Sequence, residues 1–466
     1  MYNAENNSSK QGLQLLQILT LIAALFMLLP LPVMQYVGEE GLNAIRSYEV
    51  FLRDDYLHSA FYGGVTPHAP LFNIPAILIS NIIGWEHIDI SIRLVSVMAS
   101  WGSAVAAFFL ARHLFPSSDK APWLASLIYL SMGEVSFWYG WLGYVDAMFS
   151  CFIFSAVTCL WIALDKQKVQ LLAMAIIFIS IAYMVKNFTA IILLAITGFV
   201  LVIRLKRWAF VLKPSVILIL LSVLITPWIF AIYIAQSSQA LTITIANSLA
   251  KFTGYSLLDY IGQWLSYPFL FIGRAMPVSL LLLWLWLSRR SKLTLDATLS
   301  TLLLVILACL LPFWISAGAS PRYLVPLYGL MAVLLTGFSL KLNTAHLSMV
   351  IKAIIIVIAL KIPYSFGVLP YIKDWRPERD VKAVAQEIVQ LVGDASLKTQ
   401  NDISTGLAIA AYIDVWRQQH PPITWYHGKE SNLYIIAEVE SPELGQLVKT
   451  WRLRGSHVYL YHKKVE

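Results

Sequence analysis

Two adjacent carboxylates, Glu39 and Glu40, follow directly on an uncharged apolar run from Leu13 to Val37 and open a polar loop that ends near Arg93. A charged side chain inside hydrocarbon costs several kcal/mol, so acids placed at the end of such a run stand at the water boundary. With Arg46, Arg53, Asp54 and Asp55 close behind, they imply a polar cavity at the edge of a bilayer; the plainer alternative is a solvated helix end. Asp146 lies in a second inter-helix turn, with Lys186, Lys251, Arg274 and Arg322 as candidate cations in others and Tyr323 beside Arg322. A carboxylate next to a cation suits transfer away from a phosphate leaving group: the cation neutralises the departing oxygens, and the acid orients or deprotonates an acceptor.

Each residue also has a structural reading. Asp146 follows the short Gly140 to Val145 turn and begins a helix, where a carboxylate can simply cap amides at the positive end of the helix dipole. Lys186 sits at a helix junction, where a long cationic chain can snorkel to the interface. In AGASPRYLVPL, 317 to 327, Arg322 is placed as a bidentate phosphate fork, or together with Tyr323 as an interfacial anchor. The aromatics of FWYGWLGY, 137 to 144, fit sugar stacking or belt packing equally. His68, in TPHAPL, is a lone candidate substrate contact with no second ligand at metal spacing.

The elements that must carry these groups are membrane helices. The chain has 466 residues, 58% hydrophobic and 13% charged, with a mean hydropathy of +0.69, which excludes an ordinary soluble protein. The net charge of +8 lies in short clusters between apolar runs, so it reads as a topology signal and not as a nucleic-acid surface. The three cysteines lie within apolar segments and support neither a disulfide framework nor a zinc site. Counting runs long enough to span gives about eleven helices, near 13–37, 90–114, 121–140, 146–164, 169–185, 188–203, 212–235, 266–288, 297–316, 323–340 and 346–368. If the amino terminus is cytoplasmic, Arg112 with Lys120, Lys166 with Lys168, and Arg204 to Arg207 fall inside. The candidate site residues and the tail then share the outer face. The expected organisation is a transmembrane region over 1–371, with interfacial helices in an outer loop at 38–89, and a small α/β extramembrane region over 372–466. There is no Gly-rich phosphate loop, so no nucleotide cofactor is expected; a divalent cation stays open.

Several strings, in order, carry a resemblance: EEGLNAIRSYEVFLRDDYL (39–57), TPHAPL (66–71), IRLVSVMASWGSAVAAFFLARHLF (92–115), GYVDAMF (143–149), MVKNFTAIILL (184–194), TPWIFAIYI (226–234) and SPRYLVPL (320–327). Their order and spacing over residues 14 to 370 resemble the family 39 glycosyltransferases of the GT-C class, the group of protein O-mannosyltransferases and lipid A aminoarabinose transferases. The resemblance implies a polytopic helical enzyme of the inner membrane. It would pass a sugar from a polyprenyl phosphate to a lipid, glycan or protein acceptor on the outer face, with inversion. It also implies a catalytic role for Glu39, with Glu40 beside it, matches Asp146 to the family's second-loop acid, and places Lys186 and Arg322 as basic groups near the donor. With Glu39 and Asp146 expected to be catalytic, Glu40, His68, Lys186, Arg322 and Tyr323 are the expected substrate-binding residues, although His68 and Pro67 stand where the aminoarabinose transferases have Lys and Glu. Membrane lipids would be partners and nucleic acid would not. The rival readings are a transporter or flippase, which also combines many spans with intramembrane charge, and a silent assembly subunit. Against the transporter, no internal repeat is visible and the candidate charges gather at one surface.

Overall fold

The computed structural model describes residues 2–66, 69–230, 232, 254–288, 290, 294–373, 379–400, 404–453 and 455–464. His68 and Lys251 lie outside the described residues. The chain forms two compact units: Met1–Leu28 with Ser96–Trp141 and Val145–Ile362, and Leu29–Val95 with Leu142–Tyr144 and Pro363–Glu466.

The first unit is helical. Its main early helices are α1 (Tyr2–Phe26), the body of α4 (Ile88–Leu114), α5 (Ala121–Ser131), α6 (Val145–Lys166), α7 (Val169–Val185) and α8 (Thr189–Leu205). Later come Leu257–Arg274, Val278–Leu287, Ala297–Trp314, Tyr328–Ser339 and Thr344–Pro363. Among the described residues, five helical segments are long and apolar enough to cross a membrane singly: Trp85–Leu114, Val145–Lys166, Ala297–Trp314, Pro321–Ser339 and Thr344–Ile372. Elsewhere the apolar runs are divided. The expected span at 266–288 falls on a pair of helices bent by 110°, and the run at 121–140 ends in a π-helical turn, Val135–Tyr139. Helices α7 and α8 have 17 residues each, which at 1.5 Å per residue reaches only about 26 Å, a little short of a hydrocarbon core. Helix α6 packs against both α7 and α8, and the 3₁₀ turn Pro321–Leu327 packs on α6.

Close packing in this unit depends on small residues, as expected where lipid offers no hydrophobic drive between helices. A methyl group at Gly102 would stand 2.7 Å from Cys151 Sγ, and one at Gly337 would stand 2.7 Å from the Phe115 ring.

The second unit joins α2 (Glu40–Arg53), the hairpin β1 (Ser59–Phe61) and β2 (Gly64–Thr66), and α3 (Asn73–Ile83) to a five-stranded sheet in the tail. The sheet order is β4-β3-β5-β7-β6, from strands β3 (Leu397–Thr399), β4 (Thr424–Trp425), β5 (Leu433–Ala437), β6 (Gln446–Leu453) and β7 (Ser456–Lys463). The β3–β4 and β3–β5 pairs are parallel and the β5–β7 and β6–β7 pairs antiparallel. Ile435 and Leu460 are fully buried at its centre. Helices Val381–Val392 and Ser404–Trp416 pack on each other, and the latter packs on α2. That contact needs a glycine: a methyl at Gly41 would stand 2.6 Å from the Leu407 carbonyl oxygen.

Candidate active site

In the first unit, three chain segments bring charge to one cavity. Asp146 occupies the first turn of α6 and is 3% exposed. Lys186 ends α7 and donates from Nζ to Asp146 Oδ1. Arg322 and Tyr323 come from the 3₁₀ turn Pro321–Leu327, whose two prolines set φ and remove amide donors. The start of that turn is held by Tyr267, whose hydroxyl donates to the Ser320 carbonyl at 3.2 Å. The Lys186 ammonium lies 5.0 Å from the centre of the Tyr323 ring and 5.3 Å from that of Phe149, within range of an attractive cation–π contact. Arg322 Cζ is 5.8 Å from the same Tyr323 ring. These residues, with Asn187, Phe188, Phe313 and Ser316 among others, line a cavity of about 120 Å³. One carboxylate against two cations leaves the cavity with a surplus positive charge, the electrostatic condition for holding a phosphate.

A second ion pair lies in the same unit: Arg274 donates to Glu134, which is 7% exposed. Tyr139 is in electrostatic range of Asp146, Glu134, Arg322 and Arg274. Lys361, 1% exposed, donates to the Ser136 carbonyl and sits 5.6 Å and 5.5 Å from the ring centres of Phe137 and Trp141. The π-helical turn before α6 is thus bordered by two cations.

In the second unit, Glu39 and Glu40 have different surroundings. Gly38 adopts φ +55, a conformation glycine takes without steric cost, and it turns the chain into α2. Glu39 stands at the helix start, partly exposed, with its N–H donating to the Tyr144 hydroxyl at 3.1 Å. Glu40 is fully buried. Its Oε1 accepts from Arg93 Nε at 2.9 Å and the Gly143 amide at 2.7 Å, and its Oε2 from Arg93 Nη2 and the Val37 amide at 2.7 and 2.8 Å. Arg93, equally buried, spends its remaining donors on the carbonyls of Leu31, Met34 and Gln35. Glu40 was expected among the substrate-binding groups, but four hydrogen bonds occupy its oxygens. Asn43 ties the same segment to Gly143 through a 2.8 Å bond to its carbonyl.

Comparisons with known proteins address the fold. Residues 67–230 match the family described as dolichyl-phosphate-mannose-protein mannosyltransferase. An undecaprenyl phosphate-alpha-4-amino-4-deoxy-L-arabinose arabinosyl transferase 2 from Proteus mirabilis is 26% identical over 56% of this chain and 47% of its own length. Its namesake from Pseudomonas fluorescens is 24% identical over 69% of this chain and 55% of its own. The match therefore spans about half the length of these curated relatives. The crystal structure of ArnT from Cupriavidus metallidurans bound to undecaprenyl phosphate superposes with a TM-score of 0.73 at 12% identity, covering 95% of this chain and 97% of that one. The chain has the GT-C fold. It is a multi-pass membrane protein with a small sheet-containing tail.

Within this GT-C framework, Asp146, Lys186, Arg322 and Tyr323 share one cavity, whereas Glu39 and Glu40 belong to the other compact unit. The site reading of the sequence passed over Glu134, Lys361 and the Arg93 partner of Glu40. Glu134 carried the clearest signal, a single charge inside the apolar run 121–140, because such a charge persists only with a partner; Arg93 and Lys361 share their runs with Arg112 and Lys352.

Proposed function

We propose that this chain is an inverting glycosyltransferase of the cytoplasmic membrane that moves a sugar from a polyprenyl phosphate to an acceptor on the outer face. The observation that carries the reading is the cavity of Asp146, Lys186 and Arg322, a carboxylate with surplus positive charge at the mouths of membrane helices. Support also comes from relatives named for transfer from undecaprenyl phosphate-linked aminoarabinose. In this reading the acceptor oxygen attacks the anomeric carbon and its proton passes to Glu39. The bond from the anomeric carbon to the phosphate oxygen breaks, and the phosphate leaves with the electron pair. Arg322 and Lys186 stabilise the charge that develops on that oxygen, where preorganised donors contribute most. Asp146 holds Lys186 in place and orients the sugar. His68 and Tyr323 are assigned to substrate contact. Glu40, bound on all sides, is assigned to holding the segment that presents Glu39.

Acceptor class, lipid, glycan or protein, belongs to the same proposal, as does the orientation with the amino terminus inside and the tail outside. Purified protein in detergent, given a labelled polyprenyl-phosphate sugar and candidate acceptors, tests the reading directly. Release of polyprenyl phosphate with label on the acceptor is expected, and an intact donor under all conditions would sink it. Glu39→Gln keeps size and removes the proton-accepting charge, so turnover falls steeply while donor binding persists; near-normal transfer would remove Glu39 from the mechanism.

A further inference from the structure

The helical unit holds a second and larger cavity, of about 340 Å³ against about 120 Å³ for the cavity of Asp146. Helix α6 borders both from opposite ends. Asp146 is in its first turn, while Leu160 and Leu164, which line the larger cavity, are near its end, roughly 21 to 27 Å further along at 1.5 Å per residue. Helices α7 and α8 and the short helices Trp208–Val211 and Pro214–Ser222 supply the other walls. Among the described residues every one that lines this cavity is apolar. Water would find no polar group to bind there, and an empty void leaves its lining atoms without dispersion partners. A hydrocarbon chain satisfies both conditions.

The charge lies at the rim. From Leu160 to Val223 the sequence holds one acid, Asp165, and Arg207 at 3.5 Å and His113 at 3.0 Å already take it up. Lys166 ends α6, Lys168 precedes α7, Lys206 follows α8 and Lys213 precedes the helix Pro214–Ser222; all four are exposed. Trp208 and Val211 line the cavity, and Lys206 and Lys213 each stand two residues from one of them. Trp208 is also half-exposed, so the cavity reaches the surface in the connection that carries these two lysines.

We propose that this cavity binds a phospholipid with an anionic head group, an acyl chain filling the apolar space and the phosphate held by Lys206 and Lys213. An apolar interior with cations confined to its rim matches a molecule that is hydrocarbon along its body and negative at one end, and basic pockets between membrane helices bind anionic head groups in this way. The Asp146 cavity is built the other way round, with its charges in the lining itself. Lysines are compact charges on flexible stems, and spread over two connections they suit a head group in the plane of a leaflet better than a fixed fork on one reacting phosphate. The site goes beyond the transfer reaction and does not depend on it.

Native mass spectrometry of the full chain, stripped of lipid in detergent and titrated with phosphatidylglycerol or with phosphatidylcholine of the same acyl chains, tests the site. Phosphatidylglycerol should bind at least about tenfold more tightly, and the double variant Lys206→Ala with Lys213→Ala should weaken it about twentyfold, at roughly fivefold per charge, while leaving phosphatidylcholine unchanged. Gly198→Leu fills the chain site from within: a β-carbon there meets the Leu160 side chain at an ordinary 3.5 Å, so the added side chain enters the space without moving the backbone. That variant should weaken both lipids about tenfold or more, on the scale of burying several fewer methylenes. Equal affinity for the two lipids, or an unchanged affinity for phosphatidylglycerol in the lysine variant, overturns the anionic head group. Unchanged binding by Gly198→Leu overturns the cavity as its seat. A polyprenyl phosphate that displaces phosphatidylglycerol from the parent at lower concentration, and is weakened by the same substitutions, overturns the choice of occupant. Should Gly198→Leu fail to fold, Ala195→Leu, on the same wall, is judged by the same outcomes.

Discussion

Two buried ion pairs among the described residues use the same chemistry for different ends. Glu40–Arg93 is sealed: both side chains have no exposed surface, and backbone amides and carbonyls take up what the pair leaves over. Asp146–Lys186 is open on one side, with Lys186 16% exposed, bordering a cavity that also receives Arg322. A sealed pair gives a substrate nothing to bind, whereas a pair with a second cation and a void beside it can exchange partners during a reaction. Placement at the end of an apolar run does not distinguish the two; the count of occupied hydrogen-bond sites does.

The sharpest break of that contrast comes from truncation on each side. Glu40→Ala leaves a buried guanidinium uncompensated and should cost about 3 to 5 kcal/mol of stability, read as a fall in the melting temperature in detergent. Asp146→Ala should disturb melting much less while suppressing transfer. Equal melting losses from both would make the two pairs equivalent and end the comparison. Next in size, Arg322→Ala should lower turnover roughly 10² to 10³, about 3 to 4 kcal/mol of transition-state stabilisation. Arg322→Lys should recover part of that, since the bidentate fork is lost. Turnover within about threefold of the parent would assign Arg322 to anchoring at the membrane edge instead.

A third buried charge sharpens the comparison from the opposite direction. Asp414, 3% exposed, accepts the Ile423 amide at 2.7 Å through one oxygen, and its other oxygen has no hydrogen-bond partner. Burial raises its pKa well above the usual carboxylate value, with the nearby Glu49 adding to the rise and the Ile423 amide and Arg417 opposing it. A carboxyl raised in the folded state binds more protons there than in the unfolded chain, so stability falls as pH climbs from the ordinary Asp range through the raised value. Asp414→Asn should therefore raise the melting temperature at neutral pH, by an amount on the order of 1 kcal/mol, and flatten that slope. A lower melting temperature at pH 7 would show that the ionised form is held by partners. The smallest effect is expected at the exposed Lys449–Glu387 pair on the tail, where Lys449→Ala should change stability by less than about 1 kcal/mol.

Much of the membrane architecture was legible in the sequence because apolar length is a local property. The runs at 90–114, 146–164, 297–316 and 346–368 correspond to long apolar helices, and the strand-like stretches at 432–437 and 457–461 fall in β5 and β7. Asp146, Lys186, Arg322 and Tyr323 were picked out singly, as charges or aromatics at helix ends, and the fold gathers them at one cavity. What could not be read was pairing. Glu40 and Arg93 are separated by 53 residues, and no periodicity links them. The division of 121–140 by a π-helical turn was equally hidden, because its stabilising contact comes from Lys361, far along the chain.

Helix α2 lies against the backbone of Leu407 and Ala408 at Gly41, and a few residues earlier the Tyr36 amide donates to the Tyr412 hydroxyl, 376 residues away. The ribosome makes these partners far apart in time. At about 5 to 20 residues per second the early segment waits roughly 20 to 75 seconds before the segment it packs against exists. For that interval the face of α2 around Gly41 lacks its tail partner, while Tyr48 on the same helix can already meet Trp85, at 5.2 Å between ring centres. A polypeptide stopped before residue 400 would keep that face uncovered permanently, so quality-control proteases should clear such fragments faster than the full-length chain.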